Sequence, residues 1–258
     1  MDNKSQSTYW KLAAILFIPL VLITIYSIYD KELTVGELTF QKARIGSYFR
    51  QSEIRDFYAA PIAEETSVVY DTASQRILFF GDSMLEGLSR RMKQYAAENG
   101  HELLNVIWYS SSTLIWSQHE DTLAHFIRTF RPTYIMTCLG GNELFIRDLD
   151  RRDAAIKTIL GVTGEIPSIW IGPPNWKADT GINELMEKNI GTHRFFPSKR
   201  LTFQRGTDGA HPTYASAASW MDSIACWMND STLYRIRMKF PTDNTRKKGE
   251  TVLLSPLK

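Results

Sequence analysis

At 258 residues, with 43% hydrophobic and 22% charged side chains, the chain has room for one sizeable globular domain with appendages. A formal net charge of +2 argues against a nucleic-acid partner. Its two cysteines lack CxxC or any other metal spacing, so no metal site is implied. Cys138 in an apolar run and Cys226 in a helical pattern read as buried free thiols; a bridge between them is left open, because sequence does not give their separation.

Leu12–Tyr29 is 18 residues without a charge, bounded by Lys11 and by Asp30-Lys31. That is close to the ~20 apolar residues of a spanning helix. Pro19 inside it is better tolerated in membrane than in soluble helices, and Trp10, Tyr26 and Tyr29 fall near the ends, where amphipathic rings favour the interface. No A-x-A-like cleavage site follows, so an uncleaved transmembrane helix is expected rather than a signal peptide. Residues 1–30 then form a cytoplasmic stub and anchor, which places the rest outside the cytoplasm. Residues 31–74 read as a juxtamembrane stalk or collar, with Thr34–Tyr58 as one or two amphipathic helices.

From residue 75 short apolar runs alternate with helical stretches. Ile77–Phe80 is a strand ended by Gly81, and Met84–Asn99 a helix stopped by Gly100. Leu103–Tyr109 is the second strand, and Ser117–Phe130 a helix ended by Arg131-Pro132. Thr133–Leu139 is the third strand, Arg151–Leu160 the next helix, and Ile166–Ile171 the fourth strand. Tyr214–Met228 is the last helix. Apolar runs of this length between helices indicate buried parallel strands. The expected fold class is α/β, a three-layer α/β/α domain with a mostly parallel sheet, over residues 75–230. Residues 231–258 carry seven Lys/Arg against two Asp/Glu. They read as a basic tail, either a flexible solubilising terminus or a contact for anionic lipid or acidic glycan.

The polar, glycine-rich punctuation falls at strand ends, and ligands of open α/β sheets bind beyond those ends. Ser83, in Gly81-Asp82-Ser83, would stand at the start of a helix, where unpaired N–H groups and the helix dipole favour negative charge. A strand-to-helix turn capped by Asp or Ser explains the same residues. Asp208 and His211 lie three apart before the last helix, so the carboxylate can hold one imidazole nitrogen while the other faces a nucleophile. A capping carboxylate beside a surface histidine is the alternative. Asn142, after Gly140-Gly141, has an amide able to donate to an oxyanion, or it is simply an Asn in a tight turn. The other histidines, His101, His119, His125 and His193, lack such a carboxylate and read as solvated or structural.

These blocks carry a resemblance. Phe80-Gly81-Asp82-Ser83, Gly140-Gly141-Asn142-Glu143 and Asp208-Gly209-Ala210-His211-Pro212, in that order, resemble the SGNH, or GDSL-type, esterases and lipases over about residues 75–230. The resemblance implies a flavodoxin-like fold, Ser83 as nucleophile, His211 as base, Asp208 as its orienter, Asn142 as oxyanion donor, and no cofactor. Two positions depart from the pattern. The second block of that family centres on a glycine whose N–H completes the oxyanion hole; here the stretch is Ser111-Ser112-Thr113. A gap-free count back from Asn142 puts Thr113 at that position, so the implied donors are Ser83, Asn142 and Thr113, with a β-branched side chain narrowing the pocket. Glu143 stands where the family has aspartate.

The implied activity is ester hydrolysis. Trp176 and Trp116, near the active rim, are candidates to stack on a sugar, or else they pack against loops. The expected substrate is a small acyl ester, acetyl first, on envelope or extracellular carbohydrate. The alternatives are an O-acyltransferase with the same triad, a lysophospholipase or lipase held near lipid by the anchor, and a catalytically silent binding or assembly module.

Overall fold

The structure, a computed structural model, describes residues 69–255, together with two short strands at 33–35 and 38–40 and residues 17 and 19. The chain divides into two compact units, Met1–Arg50 and Gln51–Lys258. In the first, β1 (Leu33–Val35) pairs antiparallel with β2 (Leu38–Phe40), Val35 opposite Leu38. A hairpin therefore stands where a helix was expected to begin; the alternation Leu33-Thr34-Val35 and Leu38-Thr39-Phe40 has the period of a strand. The rest of Thr34–Tyr58 lies outside the described residues. So does the expected anchor Leu12–Tyr29, apart from Phe17 and Pro19. Among the described residues no helix is long and apolar enough to cross a membrane.

In the second unit β3 (Val69–Asp71) leads into β4 (Arg76–Gly81), α1 (Met84–Asn99) and β5 (Glu102–Trp108). Next come α2 (Thr113–Gln118), α3 (Glu120–Phe130), β6 (Tyr134–Cys138), α4 (Leu149–Thr163) and β7 (Ser168–Ile171). The chain continues through α5 (Ile182–Ile190), β8 (Phe195–Phe196), α6 (Tyr214–Asp230), β9 (Tyr234–Ile236) and β10 (Glu250–Leu254). Six strands form one sheet in the order β10-β5-β4-β6-β7-β8, every neighbour parallel. After β5 the chain crosses back over β4, so the switch in strand order falls between β4 and β6. In open parallel sheets ligands bind in the crevice beyond that point.

Side chains alternate along each strand and build a core on each face. Ile77, Phe79, Leu103, Ile107 and Met136 pack with α1 and α6. Leu78, Phe80, Leu104, Val106 and Ile135 pack with Trp116, Leu123, Ile156 and Met186 of the four intervening helices. This is a three-layer α/β/α arrangement around a mostly parallel sheet, the fold class expected. Cys138 and Cys226 are free and buried.

Three parts differ from the expected layout. The helix over 117–130 is two helices, broken at His119 (φ −121°, ψ 45°), whose ring packs on Trp108 at 5.6 Å. No element was expected in 177–207, yet α5 forms there, capped by the Asp179 carboxylate and stopped at Gly191. Finally, residues 231–258 are no free tail. β9 pairs with β3, and β10 is the edge strand beside β5, with Val252 opposite Val106. Val252 and Leu254 pack on the second core, and the Trp108 indole donates to the Ser255 carbonyl at 2.9 Å. The apolar stretch Thr251–Leu254 outweighs the lysines before it. The domain thus extends beyond 75–230 at both ends.

A chain ending at Gly249 exposes the flank of β5 and the apolar area under Val252 and Leu254. It is expected to lose at least about 2 kcal/mol of stability, read from its urea midpoint. A midpoint equal to that of the intact chain would show β10 to be dispensable.

Candidate active site

The turn that carries Ser83 is set by a close approach of two strands. A Cβ on Gly81 would lie 2.0 Å from the Cys138 carbonyl oxygen, so only glycine lets β4 end against β6. The next residue, Asp82, donates its N–H to that carbonyl at 3.0 Å. Its carboxylate is buried and accepts from Met84 N–H at 2.9 Å and Gly141 N–H at 3.2 Å. Asp82 is therefore the capping residue, and Ser83, whose side chain makes no capping bond, is left to react.

Ser83 meets His211 through Oγ and Nε2 at 2.8 Å, and His211 Nδ1 meets Asp208 Oδ2 at 2.6 Å. Asp208 Oδ1 accepts from the N–H groups of Ala210 and His211 at 2.9 and 3.0 Å. The His211 bond first, then these two, hold the Asp208 carboxyl down at about 2. An ionised carboxylate only accepts, so Nδ1 carries the proton and Nε2 is free to accept from the Ser83 hydroxyl. The His loop is closed by a bridge between Arg205 and Pro212, with Gly206 N–H donating to His211 O at 2.8 Å. Arg205 fastens it further. Its guanidinium donates to Ala210 O within the loop and to Asn175 O, at 2.8 Å, in the loop after β7.

Asn142 uses one amide N–H on Ser111 O at 2.9 Å, joining the loops after β5 and β6. Its second N–H has no partner among the described residues. The residues on either side of it are fixed. Gly141 is held at both ends of its backbone, N–H on Asp82 and C=O accepting the Trp176 indole at 2.8 Å. Glu143 is buried and receives Thr113 N–H at 2.9 Å, Thr113 Oγ1 at 2.8 Å and Arg152 Nε at 2.8 Å.

That last contact corrects one expected donor. The N–H of Thr113 is committed to Glu143, and the residue is fully buried, so it neither serves an oxyanion nor narrows the pocket. The N–H groups of Ser83 and Ser112 carry no such commitment among the described residues. Trp116 is corrected too. It is fully buried, donates to Ser111 Oγ at 3.0 Å and packs 4.8 Å from Phe80, because an indole in a strand–helix interface removes more apolar surface from water than one on the rim. Trp176 stays half-buried at the rim. His101 is structural: Nδ1 accepts from Gln75 N–H at 3.0 Å and Nε2 donates to Arg237 O at 2.8 Å. The sequence reading passed over Arg152 and Arg205, while a cap by Asp82 was one of its alternatives for Gly81-Asp82-Ser83. Among the described residues no group of three or more His, Cys, Asp or Glu side chains is placed to hold a metal.

No protein-family model matches the chain. No curated protein matches it either. One solved structure, titled "Crystal Structure of TesA", aligns with 60% of this chain and 98% of its own at 16% identity, with a TM-score of 0.42. A likeness that slight leaves the sheet order and the side-chain distances to carry the chemistry.

Two outcomes test the site. Glu143→Gln leaves the buried Arg152 guanidinium without its counter-charge and is expected to cost about 3–5 kcal/mol in denaturant unfolding. Thr113→Ser keeps both bonds to Glu143 and should stay near the parent. Asp82 gives a pH signature. Burial, ahead of its two N–H bonds, raises its carboxyl from 3.8 to about 7. The unfolded chain releases this proton first, so the contribution to stability is full below 3.8 and is lost as pH rises to about 7. Asp82→Asn lacks that slope, so over this range the stability difference should move in the variant's favour. A constant difference would contradict it.

Proposed function

We propose that the chain is a serine esterase of the SGNH type, which removes small acyl groups, acetyl first, from carbohydrate outside the cytoplasm. The observation that carries this reading is the continuous hydrogen-bonded series Asp208–His211–Ser83, at 2.6 and 2.8 Å, at the switch point of a parallel sheet. Ser83 Oγ attacks the ester carbonyl while His211 Nε2 takes its proton. The Ser83 N–H and the free N–H of Asn142 receive the oxyanion. Collapse of the tetrahedral adduct expels the alcohol, protonated by His211. Water, deprotonated by His211 in turn, then attacks the acyl-serine and releases the acid. The side chains of His211 and Asp208 are 43% and 52% exposed, so water reaches the base; this favours hydrolysis over transfer to another alcohol.

Support for a carbohydrate comes from Trp176 at the rim, fixed edge-on to Gly141. The extracytoplasmic location follows from reading Leu12–Tyr29 as an uncleaved anchor, and protease added to intact cells should then digest the catalytic unit.

Full-length protein should release acetate from acetylated sugars and hydrolyse p-nitrophenyl acetate, with Ser83→Ala lowering kcat about a thousandfold or more. Cleavage of long-chain esters alone would overturn the substrate assignment. Activity that survives Ser83→Ala would overturn the mechanism.

A further inference from the structure

Beside the triad three side chains come together that this chemistry does not use. Phe145 is 51% exposed, three residues after Asn142. It meets the Trp176 ring edge to face, with centroids 6.5 Å apart and planes at 83°. Lys177 Nζ stands 5.2 Å from the Phe145 centroid and 4.5 Å from that of Trp176. Because the Trp176 indole donates to Gly141 O, the cluster is fixed to the loop that carries Asn142.

Lys177 is exposed, and among the described residues it makes no ion pair or hydrogen bond. Asp179, two residues on, is spent on the N–H groups of Gly181, Ile182 and Asn183 and on the Asn183 amide. Contact with ring faces steadies an ammonium but leaves its charge and its three N–H donors to act on something else. Two rigid rings offer a surface for the apolar face of a sugar, and the ammonium marks where a negative group would sit.

We propose that Phe145, Trp176 and Lys177 form a subsite for a sugar ring bearing an anionic group, so that the esterase takes acylated acidic carbohydrate. This rests on the esterase reading above. It adds charge selection, which the triad does not supply.

The test compares three acetyl esters on full-length protein: an acetylated uronate, an acetylated sugar phosphate and an acetylated neutral glycoside. At least one anionic ester should exceed the neutral one in kcat/KM by about fivefold, the effect of one exposed charge contact, and which one does identifies the group. Lys177→Gln should bring that ratio close to one, through KM, while Lys177→Arg should keep it. Salt at about 0.5 M should lower it. Equal rates on all three esters, or a ratio unmoved by Lys177→Gln, would overturn the subsite. If p-nitrophenyl acetate is not hydrolysed in a Ser83-dependent way, the esterase reading has failed. The subsite is then judged by NMR titration of the deacetylated sugars into Ser83→Ala protein, where preference for an anionic ring, lost in Lys177→Gln, upholds it and equal binding ends it.

Discussion

The rim that carries Ser83 and Asn142 depends on one buried carboxylate. Asp82 gives one oxygen to Met84 N–H, at the first turn of α1, and the other to Gly141 N–H, in the loop that carries Asn142. The Ser83 hydroxyl and the Asn142 amide are therefore spaced by a single side chain. Among the described residues this carboxylate makes no ion pair and is met by two N–H dipoles, and burial raises it to about 7. Stability is sacrificed there to hold two loops in register, a pattern expected where catalysis needs fixed geometry.

A second buried carboxylate, Glu143, works from the far side of Asn142 and is compensated differently. The Arg152 guanidinium supplies the opposite charge, and Thr113 supplies two further donors. With Gly141 tied to Asp82 and Trp176, the Asn142 backbone is fastened on both sides, and its amide is aimed by Ser111 O. These groups are ordered on folding, so the Asn142 amide is fixed before any ligand arrives. The Asp208–His211 loop is positioned independently. Arg205 fastens it to the loop after β7, so all five loops of the rim are cross-linked through side chains.

Much of this was legible in the sequence because the code is local. Buried parallel strands appear as apolar runs, and β4 to β7 were found within two residues of their bounds. Ser83, Asn142, Asp208 and His211 lay in short blocks at strand ends, where turn chemistry and helix starts leave a signature. What escaped notice depends on distance in sequence. β10 lies between a lysine-rich turn and the end of the chain, and only the open flank of β5, 145 residues earlier at Asn105, makes its apolar stretch a strand. Arg152 drew no notice within the helical stretch Arg151–Leu160, since its partner Glu143 is nine residues away and outside the helix. Trp116 looked like a rim aromatic from its place after the serine-rich loop; that its ring turns inward onto Phe80 and Trp108 is a matter of helix phase, which a six-residue helix states too weakly to read.

The second block shows how a departure from a motif can be resolved by a change elsewhere. A threonine where a glycine is usual suggested a narrower pocket with the N–H donor of Thr113 kept. In the folded chain the threonine side chain points into the protein, and its hydroxyl and N–H both close on Glu143, itself the other departure from the pattern. A carboxylate one methylene longer than aspartate has the reach to engage Thr113 and Arg152 together. The two unusual residues are thus halves of one interaction. A glycine at 113 would keep the N–H bond to one Glu143 oxygen and leave Arg152 as the donor to the other, so the threonine adds the hydroxyl bond as a third tie. Read singly they are two unrelated departures. Taken as a pair they stiffen the loop that presents Asn142.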